Sequence, residues 1–492
     1  MGIEILYTQL LKPYYGDSYY VWLVMLSVTM LGSAAGYYTG SFISKMDPAW
    51  IKKFLLTDLA LLTLFFANAY PISEYLFLNL FEDDLIKSVI VHGFIMLFLP
   101  VLAITLFNPL LVKAYNSIGQ HSGRSSGTVF FASTFGGVIS VYLVAFFLLP
   151  HYDLLDIIRL FTIILIIAFA AYLLTSSQYT LLGIQLVASL FVFLIFAKGQ
   201  ILPVTGSDTK VLYRTHGIMG EIEIREKRGN TRFMLLNRTT QSAIESHTGR
   251  SKWSYPYRVS AYASAMPENA RVLVAGLGGG VLVNQLIALN FDIDCIEFDQ
   301  RTYDVAKKYM HLDKNFNFIV DDFRHFINAT DNTYDLIILD LSKGEAIPTN
   351  VYTVEAFNKL LTLLNKDGYI MLHYFSNVYG KGDYGLQSIM KTFSEIGAFF
   401  SLIKKLPGDT SSEQILIAAS KPELIGSRTL RFPKVLSAYY GFPVTDYYEK
   451  DTDFQDGEVL TDETNNLDRV QFEVVEDIRN HIRNDEKLIF YH

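Results

Sequence analysis

The chain of 492 residues is 51% hydrophobic and carries a formal net charge of −8 at pH 7. It has no basic stripe with interleaved aromatic residues, so the sequence argues against nucleic acid as a partner. Its single cysteine, Cys295, excludes an internal disulfide and gives no sign of an oxidising compartment.

The first 200 residues predict an α-helical transmembrane domain. They hold only nine of the 41 lysines and arginines, which is too little charge for a soluble core of that length. Six stretches are long and apolar enough to cross a hydrocarbon core of about 30 Å, which takes roughly 20 helical residues. They lie at residues 19–43, 54–80, 86–112, 128–150, 154–174 and 179–196.

Three details refine this transmembrane domain. Residues 1–18 predict an interfacial or partly inserted helix, and a seventh crossing would have to come from this segment. Gly32, Gly36 and Gly40 recur at four-residue spacing and predict close packing against a neighbouring helix. His92 lies near the end of a span, where snorkelling to the membrane interface is a simpler interpretation than a functional role.

After residue 198 the pattern changes to short runs of alternating polarity, which predict β-strands. The runs at residues 211–214, 220–225 and 232–236, with a hairpin-like turn at Gly229, predict a small antiparallel sheet over residues 208–250. We expect this sheet to link the membrane part to the domain that follows.

From Ala270 the pattern is strand, glycine turn, helix, strand and acidic residue, repeated along the chain. This order is typical of the βαβ units of a doubly wound sheet, and it predicts a Rossmann-like α/β domain over residues 251–430. Residues 431–492 are predicted to form an acidic C-terminal extension, with residues 442–457 as a surface segment rather than part of a core.

A glycine cluster ends the first strand of this domain. At Gly276, Gly278 and Gly280 the missing Cβ atoms would let the backbone approach a ligand. Glu297 ends the next strand about twenty residues later, where a carboxylate can accept hydrogen bonds from both hydroxyls of a ribose. The glycines alone are also compatible with a tight turn, but together with Glu297 they predict nucleoside binding.

Further carboxylates follow the next two strands. Asp321 and Asp322 come after the strand at residues 317–320, and Asp322 is placed to accept a hydrogen bond from an adenine amino group. Asp340 closes the apolar strand at residues 336–339, where it can orient and deprotonate an amine nucleophile. The simpler alternatives are a turn cap for the acidic pair and a helix cap for Asp340.

Several longer motifs accompany these residues along nearly the whole chain. They are Glu4-Ile5-Leu6-Tyr7, Gly36-Tyr37-Tyr38-Thr39-Gly40, Gly123-Arg124-Ser125-Ser126-Gly127, Ser133-Thr134-Phe135-Gly136-Gly137, Leu236-Asn237-Arg238-Thr239-Thr240-Gln241-Ser242, Asp321-Asp322-Phe323-Arg324-His325-Phe326, Asp335-Leu336-Ile337-Ile338-Leu339-Asp340 and Leu460-Thr461-Asp462-Glu463. With these motifs the chain resembles the membrane-bound spermidine synthase-like family, that is, polyamine aminopropyltransferases fused to a multi-span membrane region.

The resemblance implies a donor and a set of roles. The donor in that family is decarboxylated S-adenosylmethionine, whose propyl chain is attacked by an amine while methylthioadenosine leaves. Carried over to this sequence, Gln241 and Glu297 would hold the nucleoside and Asp322 the adenine. Asp340 would hold the attacking amine, and Tyr255 would help to close the pocket. The implied partners are a small amine acceptor and the lipid bilayer, and a homodimer is compatible with the resemblance.

Two departures from the family pattern bear on the substrates. Gly278 stands where soluble spermidine synthases carry an aspartate that meets the amino end of the donor chain. Lys343 stands where they carry an acidic residue that grips the far end of a diamine. A cation cannot bind an ammonium group, which disfavours a simple diamine and makes intact S-adenosylmethionine as plausible a donor as its decarboxylated form. Lys343 and Ser342 are predicted to bind the substrate, although Lys343 could equally be a solvated loop charge.

Three functions remain open from the sequence. They are transfer of an aminopropyl or 3-amino-3-carboxypropyl group to an amine, methyl transfer from S-adenosylmethionine, and a non-catalytic sensor or transporter of S-adenosylmethionine or polyamine. No metal is expected, because the histidines are scattered without ligand spacing. The nine charges of the membrane part divide five against four between the two sides, so they do not decide its orientation. Because the nucleotide is made in the cytoplasm, we expect an integral protein of the cytoplasmic (inner) membrane with a cytosolic catalytic domain.

Overall fold

In the computed structural model the chain divides into two compact units. The first comprises Met1–Thr209, Arg214–Glu221 and Arg479–His492, and the second Lys210–Tyr213 and Ile222–Ile478. The residues that the structure describes are 2–16, 19–80, 84–117, 122–175, 208–217, 219–342, 347–375, 384–404, 413–424, 447–449, 454–467, 476, 479–480 and 482.

The first unit is helical. Its described helices are α1 (Gly2–Tyr15), α2 (Tyr19–Ile43), α3 (Pro48–Ala67), α4 (Ala69–Asn79), α5 (Leu85–Gly93), α6 (Leu99–Thr105), α7 (Phe107–Asn116), α8 (Ser122–Tyr142), α9 (Leu149–His151) and α10 (Leu154–Thr175). Turns of π-helix at Phe94–Phe98 and Leu143–Leu148 join α5 to α6 and α8 to α9.

Several of these helices have the length and composition of membrane spans. Within the described residues four stretches qualify: Val21–Ile43, Leu85–Asn116, Ser122–His151 and Leu154–Ala171. They match four of the six predicted spans. The predicted span at residues 179–196 lies outside the described residues.

The remaining predicted span, residues 54–80, is not one straight helix. It forms α3 and α4, which meet at a 68° bend and would make a fifth span if the pair crosses as one. Asn68 lies at the bend, where its side-chain amide donates to the Leu64 carbonyl at 2.8 Å. Pro71 has no amide hydrogen to donate within the first turn of α4, so the helix cannot continue without a break.

The N-terminal helix α1 is buried rather than interfacial. Leu10, Leu11, Tyr14 and Tyr15 are each at most 1% exposed, so the helix lacks the solvent-facing side that the interfacial prediction requires. The interfacial alternative is therefore wrong for α1, and partial insertion stays a prediction. The helix belongs to the interior of the first unit.

His92 does not lie at an interface either. Its Nδ1 is 2.8 Å from the hydroxyl of Tyr15 and its Nε2 is 2.9 Å from the hydroxyl of Ser73. The side chain is completely buried, so the snorkelling interpretation is wrong. Buried polar groups need hydrogen-bond partners, and α1 and α4 supply them.

The glycine spacing of α2 does serve close packing. A methyl group added at Gly36 would overlap the carbonyl of Leu102, and one added at Gly40 would overlap the backbone of Leu106. Helix α2 therefore lies directly on the backbone of α6 and of the residue that follows it. The predicted role of these glycines is confirmed.

A four-stranded antiparallel sheet follows, with strands in the order β1 (Thr209–Gly217), β2 (Gly220–Lys227), β3 (Thr231–Leu236) and β4 (Thr239–Glu245). The hairpin at Gly229 is confirmed, since Lys227 pairs with Thr231 across it. Strand β4 was not among the predicted runs. It is reached through Asn237 and Arg238, both with positive φ, and this two-residue turn lacks the usual glycine.

The second unit contains a mixed eight-stranded sheet in the order β12-β10-β11-β9-β8-β5-β6-β7. Strands β5 to β9 are parallel, while β10, β11 and β12 add antiparallel strands beyond β9. The strands are β5 (Arg271–Ala275), β6 (Asp292–Glu297), β7 (Asn317–Val320), β8 (Tyr334–Leu339), β9 (Leu364–Phe375), β10 (Phe399–Lys404), β11 (Glu413–Ala419) and β12 (Tyr447–Glu449). The helices are α11 (Tyr255–Ala263), α12 (Val281–Ile287), α13 (Gln300–Tyr309), α14 (Phe323–Ala329), α15 (Val354–Thr362) and α16 (Tyr384–Glu395).

Both faces of this sheet are covered. On β5 and β8 successive residues belong alternately to two separate core clusters, with Val272 and Leu336 in one and Leu273 and Ile337 in the other. This alternation is the two-residue period of a strand buried on both sides. Because right-handed crossovers connect the parallel strands, their carboxyl ends meet along a single edge. The predicted Rossmann-like fold is confirmed, with antiparallel strands added.

Part of the acidic extension is core rather than surface. Strand β12 pairs with β10, which makes residues 447–449 an edge strand of the sheet. Leu460 and Leu467 are 2% and 1% exposed and pack in the same cluster as β8. Both leucines lie beyond the predicted surface segment at residues 442–457, in which Gln455 and Asp456 are exposed. The acidic extension therefore combines an edge strand, an exposed stretch and two core residues.

Candidate active site

The glycine loop between β5 and α12 lies at the carboxyl edge of the sheet. Gly276 and Gly278 have φ values of 91° and 52°, in the left-handed region that side chains disfavour. A side chain at Gly276 would also overlap the carbonyl of Asp340, so the ends of β5 and β8 approach each other closely. The loop is held from the other side by the Gly279 amide, which donates to the Ser242 hydroxyl at 2.9 Å.

Glu297 ends β6 beside this loop. Its carboxylate accepts from the amides of Leu277 at 3.2 Å and Asp299 at 3.0 Å, so both oxygens point back along the sheet edge. Burial raises the pKa of Glu297, and the backbone hydrogen bonds partly offset this effect. The geometry fixes a carboxylate directly next to the glycine loop, where a ribose would need it.

Asp321 and Asp322 follow β7, and both have local partners. Asp322 is the N-cap of α14, where its side chain accepts from the His325 amide at 3.0 Å. Asp321 bonds to the His325 ring at 2.9 Å and raises the pKa of that exposed imidazole. The capping alternative for Asp322 is thus realised, and its adenine-binding role stays a prediction. The Asp321 amide donates to the Glu297 carbonyl at 3.2 Å, which keeps the two strand ends adjacent.

Asp340 immediately follows β8, and its amide donates to the Ala275 carbonyl at 2.9 Å. Within the described part of the chain its side chain caps no helix. One carboxylate oxygen, Oδ1, lies 2.8 Å from Nδ1 of His373, a residue of the neighbouring strand β9. Tyr255, the first residue of α11, stacks on His373 with ring centroids 4.1 Å apart and planes 5° apart. The structure therefore brings the two predicted catalytic residues together through a histidine that sequence reasoning did not select.

A second tyrosine lies near Asp340. Tyr352 is completely buried, and its hydroxyl has no hydrogen-bond partner among the residues that the structure describes. Burial and, to a smaller extent, the charge of Asp340 raise the pKa of this phenol, so it stays neutral. It is a candidate hydrogen-bond donor beside the acidic group.

Strand β4 contributes two side chains to the site. Gln241 accepts from the Ser342 hydroxyl at 2.5 Å, while its neighbour Ser242 holds the glycine loop. Adjacent residues of β4 therefore reach the loops that follow both β5 and β8. The small sheet predicted as a linker also contributes to the candidate site.

The predicted substrate-binding residue Lys343 lies outside the described residues. Cys295, which was not a predicted site residue, is buried, and burial raises the pKa of its thiol, so it is a neutral core residue. Among the described residues no group of three or more histidine, cysteine, aspartate or glutamate side chains could hold a metal ion.

His373 was missed because nothing in its immediate sequence marks it. The available signal was positional: it lies near the end of the apolar strand that follows Asp340 in the chain, and neighbouring parallel strands end at the same edge. Counting histidines by metal-ligand spacing could not find a histidine whose partner is 33 residues away.

The fold and the site together define a class of protein. The parallel strands run β7-β6-β5-β8-β9, which is the 3-2-1-4-5 order of nucleotide-binding doubly wound sheets, and the glycine loop follows the first strand. The second unit is thus a Rossmann-like domain with its polar residues at the edge where such folds bind ligands.

Comparison with known proteins identifies the domain more narrowly. Residues 260–411 match the family described as "Spermine/spermidine synthase domain". The second unit therefore contains a spermine/spermidine synthase domain at these residues, as the resemblance predicted.

Individual relatives cover parts of the chain. An N-terminal histidine N-methyltransferase of Emericella nidulans is 31% identical over 27% of this chain and 23% of its own length. A polyamine aminopropyltransferase of Clostridium beijerinckii is 27% identical over 28% of this chain and 50% of its own. The chain thus spans half or less of the length of these relatives. A crystal structure of a probable spermidine synthase from Corynebacterium glutamicum is 16% identical, with 49% of this chain and 88% of that chain covered and a TM-score of 0.39.

Proposed function

We propose that the protein transfers an aminopropyl or 3-amino-3-carboxypropyl group from decarboxylated S-adenosylmethionine or S-adenosylmethionine to an amine, and releases methylthioadenosine. The observation that carries the proposal is the position of Asp340. Its carboxylate lies one strand away from the glycine loop, and the ribose-type carboxylate Glu297 lies on the loop's other side. A nucleoside bound at Glu297 would direct its sulfonium chain toward Asp340.

Each residue then has a defined task. Glu297 and Gln241 hold the nucleoside, Asp322 faces the adenine, and Asp340 binds the amine and accepts its proton. The sulfonium is already an activated leaving group, so alignment of nucleophile and electrophile supplies most of the remaining catalysis.

The glycine loop bears on the donor. Gly278 presents no carboxylate, and the nearest atom to its missing side chain is the Ser242 hydroxyl, at 3.5 Å from the ideal Cβ position. A donor that carries its own carboxylate would meet no like charge at this point, which supports testing both donors equally.

The deciding experiment incubates the purified full chain with each donor separately, with and without a mixture of polyamines, and identifies the nucleoside product by mass spectrometry. Methylthioadenosine supports the proposal and names the donor. Asp304→Asn, which changes an exposed carboxylate on α13, is the matched control for the site variants discussed below. Donor binding without any nucleoside product would contradict the proposal and favour a sensor.

Methyl transfer is the second candidate. It is favoured by the 31% identity to a protein named as an N-methyltransferase. The two reactions share the nucleoside site and differ only in which carbon on sulfur is presented to the nucleophile. S-adenosylhomocysteine as the product would move the protein to this class.

We also propose that the first unit anchors the protein in the cytoplasmic membrane with the second unit in the cytosol. Its helices leave large apolar side chains uncovered: Leu31, Phe131, Phe146 and Ile167 are 54%, 67%, 64% and 62% exposed. Exposed apolar surface on this scale needs lipid or protein to cover it. Retention in the membrane pellet after a carbonate wash is the expected result, and release into the supernatant would contradict it.

The orientation can be tested with single cysteines, because the native Cys295 is buried. Asp304→Cys on α13 should react with a membrane-impermeant maleimide only after the cells are permeabilised. Met46→Cys, in the loop between α2 and α3, should react in intact cells. The reverse labelling pattern would place the catalytic domain outside.

A further inference from the structure

We propose that His373 and Asp340 act as a hydrogen-bonded pair, in which His373 is a positioning residue that aims the Asp340 carboxylate at the amine acceptor. This inference rests on the proposed transfer to an amine. It adds a positioning residue that the family assignment does not contain.

The pair is built by the sheet itself. Strands β8 and β9 are parallel neighbours, and Leu339 pairs with Leu372 in their register. Asp340 and His373 are the next residues on the two strands, so their side chains leave the sheet side by side. His373 is also paired with Ile415 of β11, which fixes its backbone from the other side.

The distance between the Asp340 carboxylate and the His373 ring implies a hydrogen bond. At 2.8 Å a carboxylate oxygen and a ring nitrogen attract each other only if a hydrogen lies between them. A neutral imidazole that donates from Nδ1 satisfies this condition and occupies Oδ1 of Asp340. The second oxygen then remains for the acceptor, on a side chain that is 20% exposed.

The surroundings keep the imidazole in place. Tyr255 stacks on the ring with centroids 4.1 Å apart, and this contact restricts the rotation of the ring. The charge of Asp340 also acts on Tyr352 and Cys295, and burial keeps both neutral by raising the pKa of each.

In the proposed transfer step the acceptor arrives as an ammonium ion and gives one proton to the second carboxylate oxygen of Asp340. Its nitrogen lone pair forms a bond to the propyl carbon, the carbon–sulfur bond breaks, and its electron pair stays on sulfur as a neutral thioether. The proton on Asp340 is later released to water.

Steady-state kinetics provide the test, with kcat and KM measured on the full chain in detergent with the donor and acceptor found above. His373→Gln keeps an amide that can donate to Asp340. We expect this variant to retain turnover within about tenfold.

His373→Phe keeps a flat ring for Tyr255 but removes the donor. With Asp340 no longer aimed, kcat should fall by about 100-fold while KM for the donor is unchanged. His247→Gln, at an exposed histidine outside the site, should leave kcat and KM as they are. A His373→Phe variant with the kcat of the wild type would overturn the proposal.

A second measurement does not depend on turnover. Proton NMR of the protein with labelled histidine should show a downfield ring-proton resonance that is absent in both His373→Gln and Asp340→Asn. If no nucleoside product forms but this resonance is present, the proposed function fails while the pair stands. If product forms and the resonance is missing, the pair fails while the proposed function stands.

Discussion

Each unit of the molecule contains a histidine held by carboxylates, and the two sites differ in what surrounds them. In the first unit His216 is 3.2 Å from Asp153 and 2.9 Å from Glu221 through its two ring nitrogens, and it is almost completely buried. In the second unit His373 contacts the Asp340 carboxylate at the carboxyl edge of a sheet. The same residue types therefore form a closed structural cluster in one place and a candidate proton acceptor in the other.

The closed cluster is balanced in charge. Glu221 is also 3.5 Å from the Arg214 guanidinium, which in turn donates to the Tyr70 hydroxyl at 2.9 Å. Burial by itself would lower the pKa of His216, but its contacts with Asp153 and Glu221 outweigh burial and raise the pKa to about 9. His216 is therefore an imidazolium at neutral pH, placed between two carboxylates.

The strongest test of this contrast is Asp340→Asn. Because the amide cannot accept the proton of the amine, kcat should fall by about 10²- to 10⁴-fold, while the affinity for the donor nucleoside stays close to that of the wild type. Product formation by mass spectrometry and donor binding by calorimetry measure the two quantities. Full activity in this variant would show that Asp340 is no more than a structural residue.

His216→Gln should have the opposite effect, on the fold rather than on turnover. It leaves two carboxylates beside one guanidinium in a buried cluster, which we expect to lower the free energy of unfolding by about 3–5 kcal/mol. Thermal unfolding in detergent measures this loss against the exposed control His247→Gln. An unchanged Tm would mean that the cluster does not stabilise the first unit.

The same cluster predicts a pH dependence of stability. Its folded-state pKa of about 9 lies above the ordinary histidine value of 6.5, so the stabilisation is complete below pH 6.5 and is lost as the pH rises through about 9. Tm of the wild type should therefore decrease across that window. The curve of His216→Gln should lack this decrease, and parallel curves for the two proteins would assign the pH effect to another group.

Glu297→Gln extends the comparison to a buried carboxylate that accepts from backbone amides instead of a histidine. The ribose hydroxyls would lose a charged acceptor, and donor Kd should rise by roughly 10- to 100-fold, as expected for hydrogen bonds to a charged group. Asp304→Asn is the control on the adjacent helix. An unaltered Kd in Glu297→Gln would show that the ribose assignment is wrong.

Gly36→Val tests a part of the first unit where charge plays no role. The added side chain would collide with the backbone of Leu102, and overpacking of this kind costs about 1–3 kcal/mol. Gly127→Val on α8 is the matched control, since no atom lies within 4 Å of its ideal Cβ position. Equal Tm values for the two variants would mean that close approach to α6 does not stabilise the helices.

The sequence by itself determined the division into an apolar helical part and an α/β part, because charge density and hydrophobic period are local properties of the chain. It also determined the glycine loop, Glu297 and Asp340 as edge residues, since each of them follows an apolar strand. The resemblance to the family followed from motifs such as Asp335 to Asp340, and the domain at residues 260–411 confirms it.

Only the tertiary structure decided the features that join distant segments. The sequence shows neither the contact of Asp340 with His373 nor that of Ser342 with Gln241, because strand order and register place these residues together. The break at Asn68, the burial of α1 and the return of Leu460 and Leu467 to the core were also missed. In each case the decisive term is packing against residues far away in the chain, which a local pattern of polarity does not record.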